Sequence, residues 1–600
     1  MCGIFGIFDS NIESKKENLH RMSQVLQHRG PDGSGIHYFN NCALGHTRLT
    51  IIDLINGEQP MLNFAANVGL TFNGEIYGYK AIKAQINYPF NTTSDTEVLL
   101  ALYQEYGINL LEKLPGMFSF GLWDVKKKIL FCARDRFGEK PFYYAFGNNN
   151  EFIFASEIKA IIASGLIDPK IDEISLQHYL KRLYVHPSKT IYSNIFSLPP
   201  AHYLTFKNDK CNINSYWELP EKDETISLGS AVENFKSLFD QAVKKQLVAD
   251  VPVGAFLSGG LDSTTVVNAA SQYDSNLKTF SFGFTDKKMN ELPYARAVAE
   301  KCNTEHKELT ENVDNLGDIL IQMQIIYDEP FADSSNVPTY LISKLASEHI
   351  KVVLSGDGGD ELLAGYSYWY SGMNKLQDYM HTGKDIFQIS KLIPQSLRDF
   401  LAFPKNNELE GKQLYEKYGS LTNLFYSQRD FFNKNDLKEF GFNNSVFKSN
   451  EEKPESLDDA LRLDIINYLP GDILVKTDRA SMANSLEIRS PFLDVDLASF
   501  CISLPHTLKI NKKTDKILLR EAYANQWPES VQTRNKMGFG APVQEWLRLD
   551  DLIEMKREYL GNKNKKIHSY LDYQKTEQYV HMSNYQTWIL LVLSLWLEHQ

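Results

Sequence analysis

Cysteine is scarce in this chain: Cys2, Cys42, Cys132, Cys211, Cys302 and Cys501 are the six among 600 residues. No two of them form a CxxC pair, so neither a disulfide framework nor a zinc site is indicated, and a reducing compartment is expected. Long apolar runs are missing as well. The most apolar stretch, Trp588–Trp596, is about half of what a bilayer span requires and reads as a buried terminal helix closing the core of a second domain. The first apolar stretch is short and has no basic region before it, so no secretory signal is expected and the protein is placed in the cytoplasm. With a net charge of −12 and Lys126–Lys128 as the longest basic run, the chain has no electrostatic footprint for nucleic acid or an anionic membrane. The three lysines read as a solvated hairpin turn. Internal repeats and low-complexity segments are absent too. What is present, 43% hydrophobic and 23% charged residues, divides into roughly two to four globular domains.

Residues 1–205 alternate short β-rich runs with brief helices. Gly3–Phe8, Ala43–Asp53, Val68–Asn73, Met117–Val125, Ile129–Asp135 and Phe152–Ala155 read as strands, with a helix near Thr96–Tyr106, so an α+β two-layer or sandwich-like domain is expected. Residues 206–228 are polar without clear periodicity and read as a linker. A helical pattern opens the second domain, 229–600, with apolar residues at Val232, Phe235, Phe239 and Val243. From Val251 the pattern becomes buried strand, glycine-rich turn, helix, with further strands at Thr279–Phe284 and Lys351–Leu354, the signature of a parallel α/β core. Beyond about residue 365 the chain reads mostly helical, and 375–455 follows no recognisable pattern.

Three segments carry chemistry. Met1-Cys2-Gly3 would, on loss of one methionine, leave a thiol and an α-amine on the same residue, a nucleophile with its own base. A terminal cysteine can equally pack in an edge strand. Ser258-Gly259-Gly260-Leu261-Asp262-Ser263 lies between an apolar strand and a helix start, where backbone amides and the helix N-terminus favour a phosphate. It lacks the Gly-Lys ending of a Walker loop and carries a carboxylate, Asp262, which points to pyrophosphate held through magnesium. Ser355-Gly356-Asp357-Gly358-Gly359-Asp360-Glu361 follows a second strand in the same way. Two such loops on one parallel sheet can face each other, with Asp262 and Asp360 sharing magnesium and Ser355 and Gly356 touching the nucleotide. Alone, the first could be a tight strand-to-helix turn, and the second a calcium-binding or plain loop.

Taken in order, CGIFG, Arg48 in HTRLTIIDL, FNGEIY, TSDTE, SGGLDS, SGDGGDE, DRASMA at 478–483, EIRSPFLD at 487–494 and KMGFG at 536–540 resemble the glutamine-dependent asparagine synthetases over nearly the whole chain. The resemblance implies an N-terminal-nucleophile glutaminase domain, a four-layer αββα sandwich. A many-helix α/β synthetase domain of the pyrophosphatase-loop, adenine nucleotide alpha hydrolase-like class is implied to follow it. It further implies that Cys2 attacks the glutamine amide, that Asn73 and Gly74 stabilise the oxyanion, that Arg48 anchors the glutamine α-carboxylate, and that Glu75 and Asp95 hold its α-ammonium. In the second half it implies ATP contacts from Leu257, Ser258, Gly259, Gly260, Asp262, Ser263, Phe282, Ser355 and Gly356. Asp262 and Asp360 would carry magnesium, and Lys536 would support charge developing during adenylation of the acceptor.

The implied reaction is amidation of a carboxylate, with aspartate as the leading acceptor, through an acyl-adenylate with release of AMP and diphosphate. Well-known members carry glutamate in a GEGSDE turn where Asp357 stands here, and that position touches the acceptor chemistry. Relatives that amidate sugar acids or cell-wall carboxylates are the alternative, and a non-catalytic sensing scaffold is a reading of another class. An interdomain tunnel for ammonia is implied, so the domain interface is expected to be apolar. The oligomeric state is left open, with a homodimer as one option.

Overall fold

The computed structural model describes residues 1–284, 290–311, 315–383, 407–442, 453–534 and 540–600. Its first half is built on two six-stranded sheets. The strands are β1 (Gly3–Phe8), β2 (Gly33–Tyr38), β3 (Cys42–Arg48), β4 (Met61–Leu62), β5 (Val68–Glu75), β6 (Met117–Asp124), β7 (Ile129–Arg134), β8 (Tyr143–Phe146), β9 (Phe152–Ala155), β10 (Ile195–Ser197), β11 (His202–Lys207) and β12 (Lys210–Ser215). One sheet runs β10-β8-β9-β1-β3-β2 and the other β12-β11-β7-β6-β5-β4. β1 shows why its sequence is apolar on both faces. Ile4 and Phe8 pack between the sheets with Leu44, Trp123 and Phe154. Phe5 and Ile7 face outward onto Leu19 and Met22 of the helix Lys16–Val25 and onto Ile158 and Ile161 of the helix Ile158–Ala163. The helix Asp95–Tyr106 covers the other sheet through Val98, Leu99 and Leu102 against Leu70, Phe72 and Phe120. The result is a four-layer αββα sandwich.

The second half holds a five-stranded parallel sheet of β13 (Val253–Phe256), β14 (Lys278–Phe284), β15 (Glu305–Glu311), β16 (Val352–Leu354) and β17 (Glu487–Arg489), in the order β15-β14-β13-β16-β17. Strand order reverses between β13 and β16, so the loops after these two neighbours open side by side at the sheet's carboxyl edge, where such folds bind ligands. The terminal helix Tyr585–Glu598 is buried along Thr587–Leu597 and packs on Leu316, Leu320 and Trp546. It also reaches the first half, since Tyr179 Oη donates to Ile589 O at 2.8 Å.

Three expectations need correction. The strand expected over 43–53 stops at Arg48, and Asp53 takes a left-handed backbone (φ 48°) in the loop that follows. Residues 206–228 are not an unstructured linker throughout: β12 pairs antiparallel with β11, and its alternating polar residues reflect an edge strand with an exposed face. Part of 375–455 lies outside the described residues. Elsewhere in it the helices Asn407–Tyr418, Leu421–Ser427 and Lys434–Glu439 are present.

The interface between the halves is not apolar alone. Apolar residues from both halves do merge in continuous cores, but buried ion pairs cross it. Arg29 pairs with Glu157 at 2.7 Å and, across the interface, with Asp478 at 2.8 Å. Arg479 reaches back to Glu157 at 3.0 Å, and Arg489 to Glu75 at 3.2 Å. Arg29 is fully buried, so Arg29→Met leaves Asp478 a buried anion without its main partner. A loss of about 3–5 kcal/mol is expected, the cost of breaking a buried pair from one side, read as a lower denaturant midpoint.

Candidate active sites

The first site forms where β1, β3 and β5 meet. The Cys2 amide N–H donates to Asn73 Oδ1 at 2.9 Å, which places the N-terminal cysteine against the end of β5. The Cys2 thiol is 8% exposed and lies 3.9 Å from Leu49 O. Burial pushes it up, and the N-terminal ammonium beside it pulls the other way. Asn73 is fully buried, and among the described residues its Nδ2 has no hydrogen-bond partner, so the side chain that holds the Cys2 amide also carries an unused donor. Gly74 has φ 156°, and a Cβ there would stand 2.1 Å from Met117 O; only glycine lets β5 approach β6 this closely.

Around this centre, Arg48 Nη2 donates to Asp53 O at 2.6 Å and to Ile52 O at 3.2 Å, tying down the loop after β3. Asp95 opens its helix, capped by Ser94, and accepts the Ile76 N–H at 3.0 Å. Burial raises its carboxyl to about 6. Burial also pushes Glu75 up, with Arg489 opposing and Glu487 and Asp95 adding to the rise. Met1 is itself buried, its ammonium 3.1 Å from Glu487 Oε2. Arg29 Nε donates to Cys2 O at 3.1 Å. Arg29, Glu487 and Arg489 had no assigned place in this site, because nothing local in the sequence says that the end of a strand in the second half lies against the first.

The second site is a cavity of about 420 Å³ at the carboxyl edge of the parallel sheet. Leu257, Ser258, Gly259, Gly260, Asp262, Ser263, Phe282, Ser355, Gly356, Asp357 and Asp360 all line it, so the two glycine loops do converge. Hydroxyls close the first loop on itself: Ser258 N–H donates to Ser263 Oγ at 3.2 Å, and Gly260 N–H to Ser258 Oγ at 3.2 Å. Gly259 has φ 69°, and a Cβ there would meet Tyr294 Cβ at 2.5 Å. The loops touch so closely that a Cβ on Gly359 would lie 2.8 Å from Asp262 Cγ.

Lys516 binds both halves of this arrangement. Its ammonium pairs with Asp262 and, at 2.6 Å, with Asp360. It is 3% exposed and sits in the left-handed region (φ 48°) just before the helix Ile517–Tyr523. Burial opposes its charge, but the two carboxylates outweigh that and hold it above the usual lysine range. A backbone held in this region at the head of a helix, with its side chain aimed at two acids, is characteristic of functional sites. The sequence offered no signal for it beyond an ordinary lysine before an amphipathic helix. Lys536 lies outside the described residues.

Farther into the cavity, Lys476 Nζ is 3.2 Å from Asp333 Oδ2. Burial raises the Asp357 carboxyl, with Lys476 opposing. Tyr366 Oη donates to Glu361 at 2.6 Å, and Tyr368 and Tyr468 complete this wall. Asp333, Lys476 and the tyrosines were not among the expected site residues.

A family model described as asparagine synthase matches residues 234–598, and one described as a glutamine amidotransferase domain matches residues 1–217. The chain is 32% identical over 595 residues to asparagine synthetase (glutamine-hydrolyzing) 1 of Bacillus subtilis, covering 96% of this chain and 92% of that protein. It is 36% identical over 533 residues to putative asparagine synthetase (glutamine-hydrolyzing) 2 of Methanocaldococcus jannaschii, covering 80% and 98%. With a putative asparagine synthetase (glutamine-hydrolyzing) of Mycobacterium tuberculosis it shares 32% over 580 residues, covering 91% and 87%.

Proposed function

The chain belongs to the glutamine-hydrolysing asparagine synthetase family, and from that premise we propose that it amidates L-aspartate to L-asparagine. ATP activates the acceptor as an acyl-adenylate, and ammonia comes from glutamine at Cys2. The observation that carries the synthetase half of this reading is the convergence of the loops after β13 and β16 on one cavity, with Lys516 between their carboxylates.

In the first site, Met1 is removed and the Cys2 α-amine accepts the thiol proton, the thiolate attacks the glutamine amide, and a thioester forms as ammonia leaves. The orphan Nδ2 of Asn73 and the Gly74 amide receive the oxyanion. Arg48 takes the α-carboxylate while Glu75 and Asp95 take the α-ammonium. Asp95 is charged only above its raised value of about 6. As pH falls through about 6 it therefore loses the charge that binds the ammonium, and glutamine KM is expected to rise. A KM flat from pH 7 to 5 would remove Asp95 from this role.

In the second site, the amides of 258–263 cradle the pyrophosphate end of ATP, and Leu257 and Phe282 hold its base and sugar. Asp262 and Asp360 fit magnesium: both are hard oxygen donors, and both already meet a single cation. Among the described residues no three His, Cys, Asp or Glu side chains form a metal cluster, so phosphate oxygens and water would complete the ion's shell. Bound there, magnesium would neutralise charge on the departing pyrophosphate. Lys516 does the same from the protein side, and Lys536 supports the α-phosphoryl group. Lys476 is placed for a carboxylate of the acceptor, and Asp357 and Asp333 for its ammonium.

The test is pyrophosphate release with ATP, magnesium and glutamine, comparing aspartate with a panel of sugar-acid and cell-wall carboxylates and reading product mass in parallel. Asparagine formed only with aspartate supports the proposal. Silence with aspartate and turnover on another acid keeps the two-site chemistry and replaces the acceptor.

A further inference from the structure

β17 is three residues long, and its two faces serve different sites. Ile488 lines the nucleotide cavity. Glu487 and Arg489, pointing the other way as strand alternation requires, lie against the ammonium of Met1, next to Cys2, and against Glu75 at the end of β5. We propose that Arg489 is a positioning residue of the glutaminase site: it holds Glu75 where the glutamine α-ammonium is received, so that the first half's pocket is complete only with β17 in place. This rests on the reading of Glu75 given above.

Arg489 is fully buried and its guanidinium is fixed on several sides. Nε donates to Glu487 Oε1 at 2.6 Å. Nη1 donates to Gln246 O and Val248 O, both at 2.7 Å, the terminal carbonyls of the helix Leu228–Gln246 and its exit, where a cation is favoured. With the fork thus anchored, Nη2 stands 3.2 Å from Glu75 Oε1. Among the described residues Nη2 makes no aligned hydrogen bond, so its hold on Glu75 is through charge. That charge matters because Glu75 is buried beside two like-charged neighbours, Glu487 and Asp95. Arg489 offsets part of the rise that burial and these neighbours impose on Glu75, so its loss shifts Glu75 further toward the neutral form, a poor receptor for an ammonium group. A lysine could not replace the fork, since one ammonium cannot serve two carbonyls and two carboxylates in a plane.

The experiment uses the full-length protein and a double-mutant cycle. Glutamine KM and kcat for hydrolysis, together with ammonia-driven amidation, are measured for Arg489→Met, Glu75→Gln and the pair combined. Arg489→Met is expected to raise glutamine KM about tenfold, a loss of about one charged contact, with ammonia-driven amidation within about twofold of the parent. In the Glu75→Gln background the same change should add no further rise. If Arg489→Met does not accumulate as folded protein, Arg489→Lys replaces it in the cycle, with a smaller rise that again disappears beside Glu75→Gln. A rise equally large in both backgrounds, or an equal loss of glutamine- and ammonia-driven activity at unchanged KM, would overturn the proposal. An unchanged KM in Glu75→Gln alone would instead overturn the reading of Glu75 on which it stands.

Discussion

Glutamine-driven amidation is expected to vanish in Cys2→Ala while ammonia-driven amidation continues. The proposed chemistries use separate groups: Cys2 lies against Asn73 near the end of β5, whereas the glycine loops, Lys516 and Lys476 line a cavity on the parallel sheet. Alanine removes the nucleophile with little loss of hydrogen bonding, because among the described residues the thiol's one hydrogen bond is a long one to Leu49 O at 3.9 Å. The glutamine-driven rate should fall by roughly a thousandfold or more, the scale seen when a covalent nucleophile is deleted. With ammonium chloride in place of glutamine, product mass should appear at near the parent rate. Loss of both activities would refute the two-site scheme, and full activity in protein that retains Met1 would refute the terminal nucleophile.

Lys516→Met is expected to produce the opposite separation, abolishing ATP-dependent pyrophosphate release while glutamine hydrolysis persists. Lys516 is the cation that both Asp262 and Asp360 meet, and methionine keeps much of its stem while deleting the charge. The two half-buried carboxylates would then lose the cation they share, which favours protonation of one and weakens both for phosphate chemistry. A fall of roughly a hundredfold or more in pyrophosphate release is expected, comparable to removing one preorganised electrostatic contact in a transition state. Asp262→Asn should share the phenotype. Pyrophosphate release at the parent rate in Lys516→Met would show that the ammonium only braces the two loops.

Features whose cause is local could be read from the sequence. β1, β7 and β9 follow from apolar alternation or runs, and the glycine loops announce themselves because glycine at a strand-to-helix turn has a backbone reason to be there. Even so, their mutual contact depends on β13 and β16 being neighbours, which the run of two parallel strands could only permit. Lys516, Arg29 and Arg489 were invisible as functional groups because their partners lie far along the chain and a lysine or arginine is ordinarily a solvated surface residue. The polar composition of β12 hid a strand for a related reason: an edge strand with a wet face keeps too few apolar residues to show its alternation. The expectation of an apolar interface missed its buried ion pairs because motifs such as DRASMA and EIRSPFLD were recognisable as signatures without the fold that shows Asp478, Arg479 and Arg489 facing the first half.

The burial of Met1 puts maturation on a clock. Its ammonium is covered by Glu487, a residue made nearly five hundred positions later. During synthesis the end of the chain is open until β17 exists to close over it, an interval of roughly 25–100 s at about 5–20 residues per second. If Met1 is removed as proposed, that interval is when the bond to be cut is open, since in the folded chain Met1 is 1% exposed. Under the proposed mechanism, a chain that folds first would keep its methionine and carry a silent glutaminase beside a synthetase site that needs no such trimming.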